Sequence, residues 1–477
     1  MTTRSSLVAL VVGWTFVVGA SSQPGSTRND GAGDLAARVD RIAGDVLART
    51  GVPSASIGIV RDGAAVLAKA YGKARLEPPL AATADMHYAV GSISKQFTTA
   101  CVLLLQQEGK LSIDDPVGKY FPELTRANEV RIRHILSHTS GYEDYAPQDY
   151  TIPAWTTPTT AQKIVHEWAT KPLDFEPGAE YQYSNTNFNI AGLIVEKVAG
   201  EPFWQFLSRR VLTPLGMTRT IDLDTAHAEV EPVGYMRNAL GPLRPARLEA
   251  PGWYFADGEL AMPVGDLLKW DVSLMNESLL APASYRAMET DTRLTNGLTA
   301  GYGLGVSVSR RNGHRSVSHG GEVGGFVAAN LVFPDDRIAV AVLTNQEASS
   351  AAGAIARQVA DALFAESARA ARIGGDPAAA EGQARQIVVG LQRGTIDRAL
   401  FTPDANFYFD ATAIADFRTS LAPLGDVKSV AQTSASLRGG MTFRSFDVVF
   451  AKGTTLRLTT YTTSDGKLEQ FLMDVSG

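Results

Sequence analysis

Ser92 and Lys95 stand three residues apart in Val90-Gly-Ser-Ile-Ser-Lys-Gln-Phe97, at the head of an apolar run through Cys101, Val102, Leu103, Leu104 and Leu105. Residues i and i+3 share a helix face, so the Lys95 amine is expected beside the Ser92 hydroxyl, within reach of its proton. The first turn of a helix also leaves backbone N–H groups unpaired and favours negative charge there. A serine nucleophile needs an adjacent base and donors where an oxyanion will form, and this stretch offers both. Alone, the pattern is weak, because it equally describes a polar first turn with a solvent-facing lysine.

Two further motifs follow in order. Tyr183-Ser184-Asn185 comes after Pro177-Gly178-Ala179-Glu180-Tyr181-Gln182, and His319-Gly320-Gly321 sits inside residues 316–326. Taken singly, the first is a common surface triplet and the second a plain turn. Taken together with Ser92 and Lys95, with room between them for a helical insert, the set resembles the penicillin-recognising serine hydrolases. These comprise class C beta-lactamases, D-Ala-D-Ala carboxypeptidases, and related esterases and D-amino-acid peptidases. The resemblance runs over roughly residues 35–366, with Leu136-Ser-His-Thr-Ser-Gly141 as a supporting stretch.

The resemblance implies an α+β, beta-lactamase-like fold: an antiparallel sheet flanked by helices, with an all-helical region inserted. It implies an acyl-enzyme on Ser92, with Lys95 and Tyr183 as one hydrogen-bonded set in which either group could take the first proton. Asn185 would contact Lys95 and the substrate amide. Gly320 and Gly321 would leave room for substrate along the strand edge, and the oxyanion would lie between the N–H groups of Ser92 and Glu322. His319 stands where beta-lactamases and carboxypeptidases commonly carry lysine. A mostly neutral imidazole is expected to orient Tyr183 or donate one hydrogen bond, and it removes a fixed charge that would attract penicillin-like carboxylates. The implied activity is therefore hydrolysis of small esters or peptides, including those with D-amino acids. A beta-lactamase or DD-carboxypeptidase is the alternative enzyme, and a catalytically silent peptidoglycan-peptide binder the alternative outside enzymes. No cofactor and no metal are implied. His138, in the 136–141 stretch, is expected to be a structural turn residue.

Composition narrows the partners. The 477 residues carry a formal charge of −6, and no basic block stands out, which argues against nucleic acid. The single cysteine, Cys101, lies in the apolar run and cannot form an internal disulfide. The histidines are scattered, without metal-binding spacing. Residues 1–20 have Arg4 as their only charge, an apolar stretch and small residues at 18–20, the pattern of a secretory signal peptide. A disordered leader is expected over 21–34. The chain is thus expected to be exported, periplasmic or secreted, with no stable membrane association after cleavage.

Elements that would position the motifs can be read around them. A helix is expected over 35–49, then a hairpin of strands 54–60 and 64–70 turning at Arg61-Asp62-Gly63. The Ser92 helix should run to about Glu108 with Gly109 as its C-cap. The aromatic, irregular stretch 142–160, with Tyr142, Tyr145 and Trp155, is expected to line or cover the cleft, and Trp253 and Tyr254 to supply contacts. Asp257 and Glu259 occupy a turn where relatives tend to have Gly-Gly-Leu, and two acids there would favour a substrate with a positive amine. Strands over 302–309, 316–319, 330–333 and 338–343 and a closing helix over 350–364 complete the unit. A linker over 367–382 leads to a second unit, 383–477, expected as a helix, a strand at 406–409, a helix at 412–421 and four antiparallel strands. That order resembles the NTF2-like cone, and a structural or assembly role, joining copies of the chain, is its expected function.

Overall fold

The computed structural model describes residues 30–148, 151–370, 377–438, 441–463 and 465–475. The leader read as an export signal lies outside the described residues. Among those described, no helix is long and apolar enough to cross a membrane.

A seven-stranded antiparallel sheet organises the first unit. Its order is Leu80–Ala81, Ala64–Arg75, Ser54–Arg61, Ile338–Thr344, Phe326–Phe333, His314–Val323, Ser307–Arg311. N- and C-terminal segments thus meet at the centre, where Ala55 pairs with Thr344 and Val60 with Ala339. The strand Ile338–Thr344 is buried throughout because both its faces are covered. Val340 and Val342 pack with Leu35, Val39, Val46, Ile355 and Val359 of the helices Asp30–Thr50 and Ala351–Ala370. Ala339, Ala341 and Leu343 face the opposite core, which holds the helices Ser94–Gln107, Asn185–Ala199 and Val264–Asn276. The period of two along one strand therefore splits the molecule into its two apolar layers.

The local signals explain the element ends. Asp62 (φ 55°) and Gly63 (φ 75°) turn the first hairpin with two positive φ angles, which suits the twist of the paired strands. Glu108 caps the helix Ser94–Gln107 and Gly109 follows at φ 70°. The strand expected at 316–319 extends over His314–Val323, since Gly320 and Gly321 pair with Ala329 and Ala328 and do not interrupt the ladder. The segment expected to begin a strand at Tyr302 becomes regular only at Ser307.

The second unit carries the antiparallel sheet Val427–Arg438, Met441–Phe450, Thr455–Thr462, Leu468–Val475, ordered as in the chain. Phe446, Val448, Phe450, Leu458 and Phe471 pack against Ile387, Val388, Leu391 and Phe409. The strand expected at 406–409 is instead part of a helix, Pro403–Tyr408. Pro403 sits in its first turn and the Thr402 hydroxyl accepts the Ala405 N–H, a local N-cap that outweighs the aromatic, strand-like composition. Helices also reach into the stretch expected as a linker: one ends at Ala370, and the next, Pro377–Gln392, opens with three alanines, the best helix formers.

Candidate active site

Ser92 lies in a 3-10 turn, Gly91–Ile93, that runs directly into the helix Ser94–Gln107. Every residue from Ser94 to Leu105 is buried, so the helix is threaded through the core and Lys95 has no route to solvent along it. Its amine instead meets three groups: Ser92 Oγ at 2.9 Å, Asn185 Oδ1 at 2.7 Å and the Asp257 carbonyl at 2.9 Å. Two of these can only accept. A neutral amine spends its two protons on them and keeps its lone pair for the hydroxyl, which can donate. Burial lowers Lys95 to about 8, against the opposing pull of Asp257 and Asp144. Asn185 is held in this orientation by Asp144, whose Oδ1 accepts from both its backbone N–H (2.8 Å) and its side-chain amide (3.2 Å).

Tyr183 lies with its ring centre 5.1 Å from the Lys95 amine. Burial pushes its phenol well above the usual range, and its hydrogen bond with the Ser92 side chain pulls the other way, so the phenol is uncharged at neutral pH. The ring packs 4.2 Å from that of His138. His138 sits at φ 56°, accepts the Ser184 N–H on Nδ1 at 3.1 Å and is driven well below its usual pKa by burial. It anchors the segment that carries Tyr183 and Asn185.

His319 donates its one hydrogen bond within the protein. Its Nδ1 lies 2.5 Å from the Gly320 carbonyl, which can only accept, so Nδ1 carries the proton. Its Nε2 then accepts from the Tyr302 hydroxyl at 2.8 Å. Both ring nitrogens are used, and neither orients Tyr183 nor remains to donate to a substrate. Burial lowers the ring to about 4, with the Lys95 charge acting in the same direction, so it is neutral. Tyr302 gave no sequence signal beyond its place near a strand.

The strand edge runs tightly against the Ser92 turn. A Cβ on Gly321 would fall 1.8 Å from the Val90 carbonyl and 3.0 Å from Ser92 N, and one on Gly91 (φ 52°) would fall 2.7 Å from Glu322 N. Only glycine allows this approach, which sets the backbone of the Val90–Ser92 turn against that of Gly321 and Glu322. Beside them opens a cavity of about 640 Å³ lined by Ser92, Tyr183, Asn185 and the His319–Glu322 edge. Trp253, Tyr254, Tyr145 and Trp155 form its aromatic wall. Tyr142 does not line it: the side chain is buried in the core and its hydroxyl donates to the Thr125 carbonyl. An irregular stretch has no period from which to read which aromatic points inward.

Five acidic side chains line the cavity, Asp144, Glu249, Asp257, Glu322 and Glu347, and among the described residues no lysine or arginine does. Of the two acids singled out in the turn, Asp257 is among them. Glu259 is not: it is buried beneath the turn, where its Oε2 accepts the Ala256 N–H, and burial pushes its carboxyl well up. Glu249 accepts from Tyr254 at 2.7 Å, and Glu347 accepts the Gly325 N–H at 2.9 Å. Asp144, Glu249 and Glu347 carried no motif in the sequence, and the chain path alone gathers them.

The family model described as Beta-lactamase matches residues 39–364. Among curated relatives, the D-aminopeptidase of Gluconobacter oxydans is 27% identical over 339 residues, 69% of this chain and 62% of that protein. The putative penicillin-binding protein PbpX of Bacillus subtilis is 26% identical over 65% of this chain and 74% of its own length. The match to the first of these therefore spans only about three fifths of its relative. Among solved structures, the D-stereospecific amidohydrolase from Streptomyces sp. is 28% identical with a TM-score of 0.58, covering 68% of this chain and 97% of that one. The octameric penicillin-binding protein homologue from Pyrococcus abyssi is 21% identical with a TM-score of 0.60, and it shares the fold over 92% of this chain and 99% of its own.

Proposed function

The chain belongs to the beta-lactamase family of serine hydrolases, and from that premise we propose that it forms an acyl-enzyme on Ser92 and cleaves small esters, amides or peptides, including those built from D-amino acids. The observation that carries the reading is the Lys95 amine, buried and satisfied on two sides by acceptors with its remaining face on the Ser92 hydroxyl. Lys95 takes the Ser92 proton as Oγ attacks the carbonyl carbon. The oxyanion forms between the N–H groups of Ser92 and Glu322. Tyr183, an uncharged phenol, passes a proton to the leaving group and is restored from Lys95. Water then repeats the cycle on the ester. Lys95 is the acylation base in this scheme because its pKa is moved toward neutrality, whereas that of Tyr183 is moved away from it.

The charge of the cavity selects among substrates. Four acidic side chains besides Asp257, with no lysine or arginine among the described residues that line the cavity, favour a substrate that carries an ammonium group and disfavour the carboxylate of a penicillin. The names of the relatives, D-aminopeptidase and D-stereospecific amidohydrolase, point the same way. We expect kcat/KM for a D-alanine anilide with a free amine to exceed that of its N-acetylated form by about tenfold, the equivalent of one partly exposed charge contact. The advantage should shrink as salt is raised. An equal or greater rate with the N-acetylated form, or with a penicillin, would move the chain to the esterase or beta-lactamase reading. The decisive test of catalysis itself is intact-mass spectrometry with an activated ester. Absence of a Ser92 adduct would leave the silent-binder reading.

The second unit is proposed as an NTF2-like cone that joins copies of the chain. The Pyrococcus abyssi homologue, called octameric, matches this chain beyond the catalytic unit, which supports that role. Light scattering of the full chain should then give a mass above that of one copy, and a monomer at micromolar concentration would end the proposal. Export through the leader, to periplasm or medium, completes the reading.

A further inference from the structure

Tyr145 has one hydroxyl proton and two acceptors. Its oxygen lies 2.6 Å from the Trp253 carbonyl and 2.8 Å from Asp257 Oδ2. Asn189 Nδ2 donates to the same Oδ2 at 2.7 Å. The Trp253 carbonyl can only accept, so at 2.6 Å the Tyr145 proton belongs to that contact. The second short O···O contact then needs a proton of its own, and the Asp257 carboxyl is the group that can supply it. With Oδ2 protonated, one unbroken chain results: Asn189 N–H to Asp257 O–H, to Tyr145 O–H, to the Trp253 carbonyl. With Asp257 ionised, either that contact or the Trp253 contact becomes two oxygens facing each other without a proton.

We propose that Asp257 is a positioning residue that rests as a neutral carboxylic acid, so that the Lys95 amine hydrogen-bonded to its backbone carbonyl is spared a second carboxylate charge besides that of Asp144 and stays free to take the Ser92 proton. This rests on the Ser92–Lys95 reading above. A second ionised carboxylate so close to Lys95 would hold a proton on the amine and remove the base. The surroundings favour the acid form. Burial pushes Asp257 up to about 7; Lys95 and the Tyr145 hydrogen bond pull it down, and the Asp144 and Asp224 charges raise it further. The groups that face it are Lys95 from the nucleophile helix, Asn189 from the helix Asn185–Ala199, Asp144 and Tyr145 from the loop before it, Asp224 from the short helix Leu223–Ala226, and Tyr183 and Glu259. Lys95 is the only basic side chain among them.

Infrared difference spectroscopy of wild type against Asp257→Asn at pH 7 should show a protonated-carboxyl stretch that the variant lacks. Tyr145→Phe, which keeps the ring against Trp155 and Trp253, should keep that band but move it to higher frequency, as an O–H without its acceptor does; this serves if the asparagine variant does not fold. In turnover, Asp257→Asn imitates the neutral acid. Its kcat/KM should fall by about tenfold at most, for a strained contact with Asn189, and the acidic limb of its pH profile should stay within ~0.3 unit of wild type. Absence of the band in wild type overturns the proposal. So does a limb that moves down by about one unit or more in Asp257→Asn, because Lys95 then sits beside a second carboxylate in the wild type. Wild type without Ser92-dependent turnover would defeat the catalytic reading and this role with it, whereas the infrared band reports the proton independently of chemistry.

Discussion

Ser92→Ala is expected to lower turnover by about 10⁵-fold or more and to abolish covalent labelling, because it removes the attacking atom while leaving the oxyanion donors in place. The backbone N–H of residue 92 and that of Glu322 do not depend on the hydroxyl, so residual binding should survive and only chemistry should vanish. The fold should survive as well. The 3-10 turn Gly91–Ile93 is held by backbone contacts, including the Val90 N–H to the Leu260 carbonyl at 3.0 Å and the Ile93 N–H to the Val90 carbonyl at 3.3 Å. Lys95 loses one partner and keeps Asn185 and the Asp257 carbonyl. Intact-mass spectrometry after exposure to an activated ester, beside a melting curve, separates these effects. An adduct of unchanged mass and rate in the alanine variant would place the nucleophile elsewhere.

Lys95→Ala should cost about 10³ to 10⁴ in kcat/KM, the range of a positioned general base. Its consequences extend beyond the proton. Asn185 Oδ1 and the Asp257 carbonyl would face an empty, buried space, and each unsatisfied acceptor costs about 1–3 kcal/mol, so a lower melting temperature should accompany the loss of rate. The two effects are separable. A small primary amine that enters the gap should restore part of the rate to Lys95→Ala and none to Ser92→Ala, since the second variant lacks the atom that would attack. The wild-type pH profile carries the same signature: the amine must be uncharged to act, so activity falls as pH drops through a limb at or below about 8. A Lys95→Ala enzyme with full rate, or a limb that persists unchanged in it, would transfer the base role to Tyr183. The double variant should be no slower than Ser92→Ala alone, because the two residues act as one unit.

Much of the layered architecture follows from short-range rules. Short runs bounded by turn residues at 54–60 and 338–343 placed two strands that meet at the centre of the sheet, and such turn signals are local properties of the chain. Where a local cap opposed composition, as at Thr402 and Pro403, the composition misled and a strand-like run became a helix. Alanine-rich ends of helices likewise intruded on the expected linker.

The chemical set divides along the same line. Ser92 and Lys95 are three residues apart on one helical track, so their contact was determined by the sequence alone, and the order of the three motifs was enough to identify the family. What each motif faces was decided by tertiary structure. His319 spends both nitrogens on Tyr302 and its own neighbour's carbonyl. Tyr142 turns into the core while Trp253 and Tyr254 wall the cavity. Asp257 meets a phenol more than a hundred residues away, and Glu249 and Glu347 join it at one opening. Local spacing can specify a face of a helix or strand; in irregular backbone the direction of a side chain, and so its proton and its charge, is set by whichever distant segment packs against it.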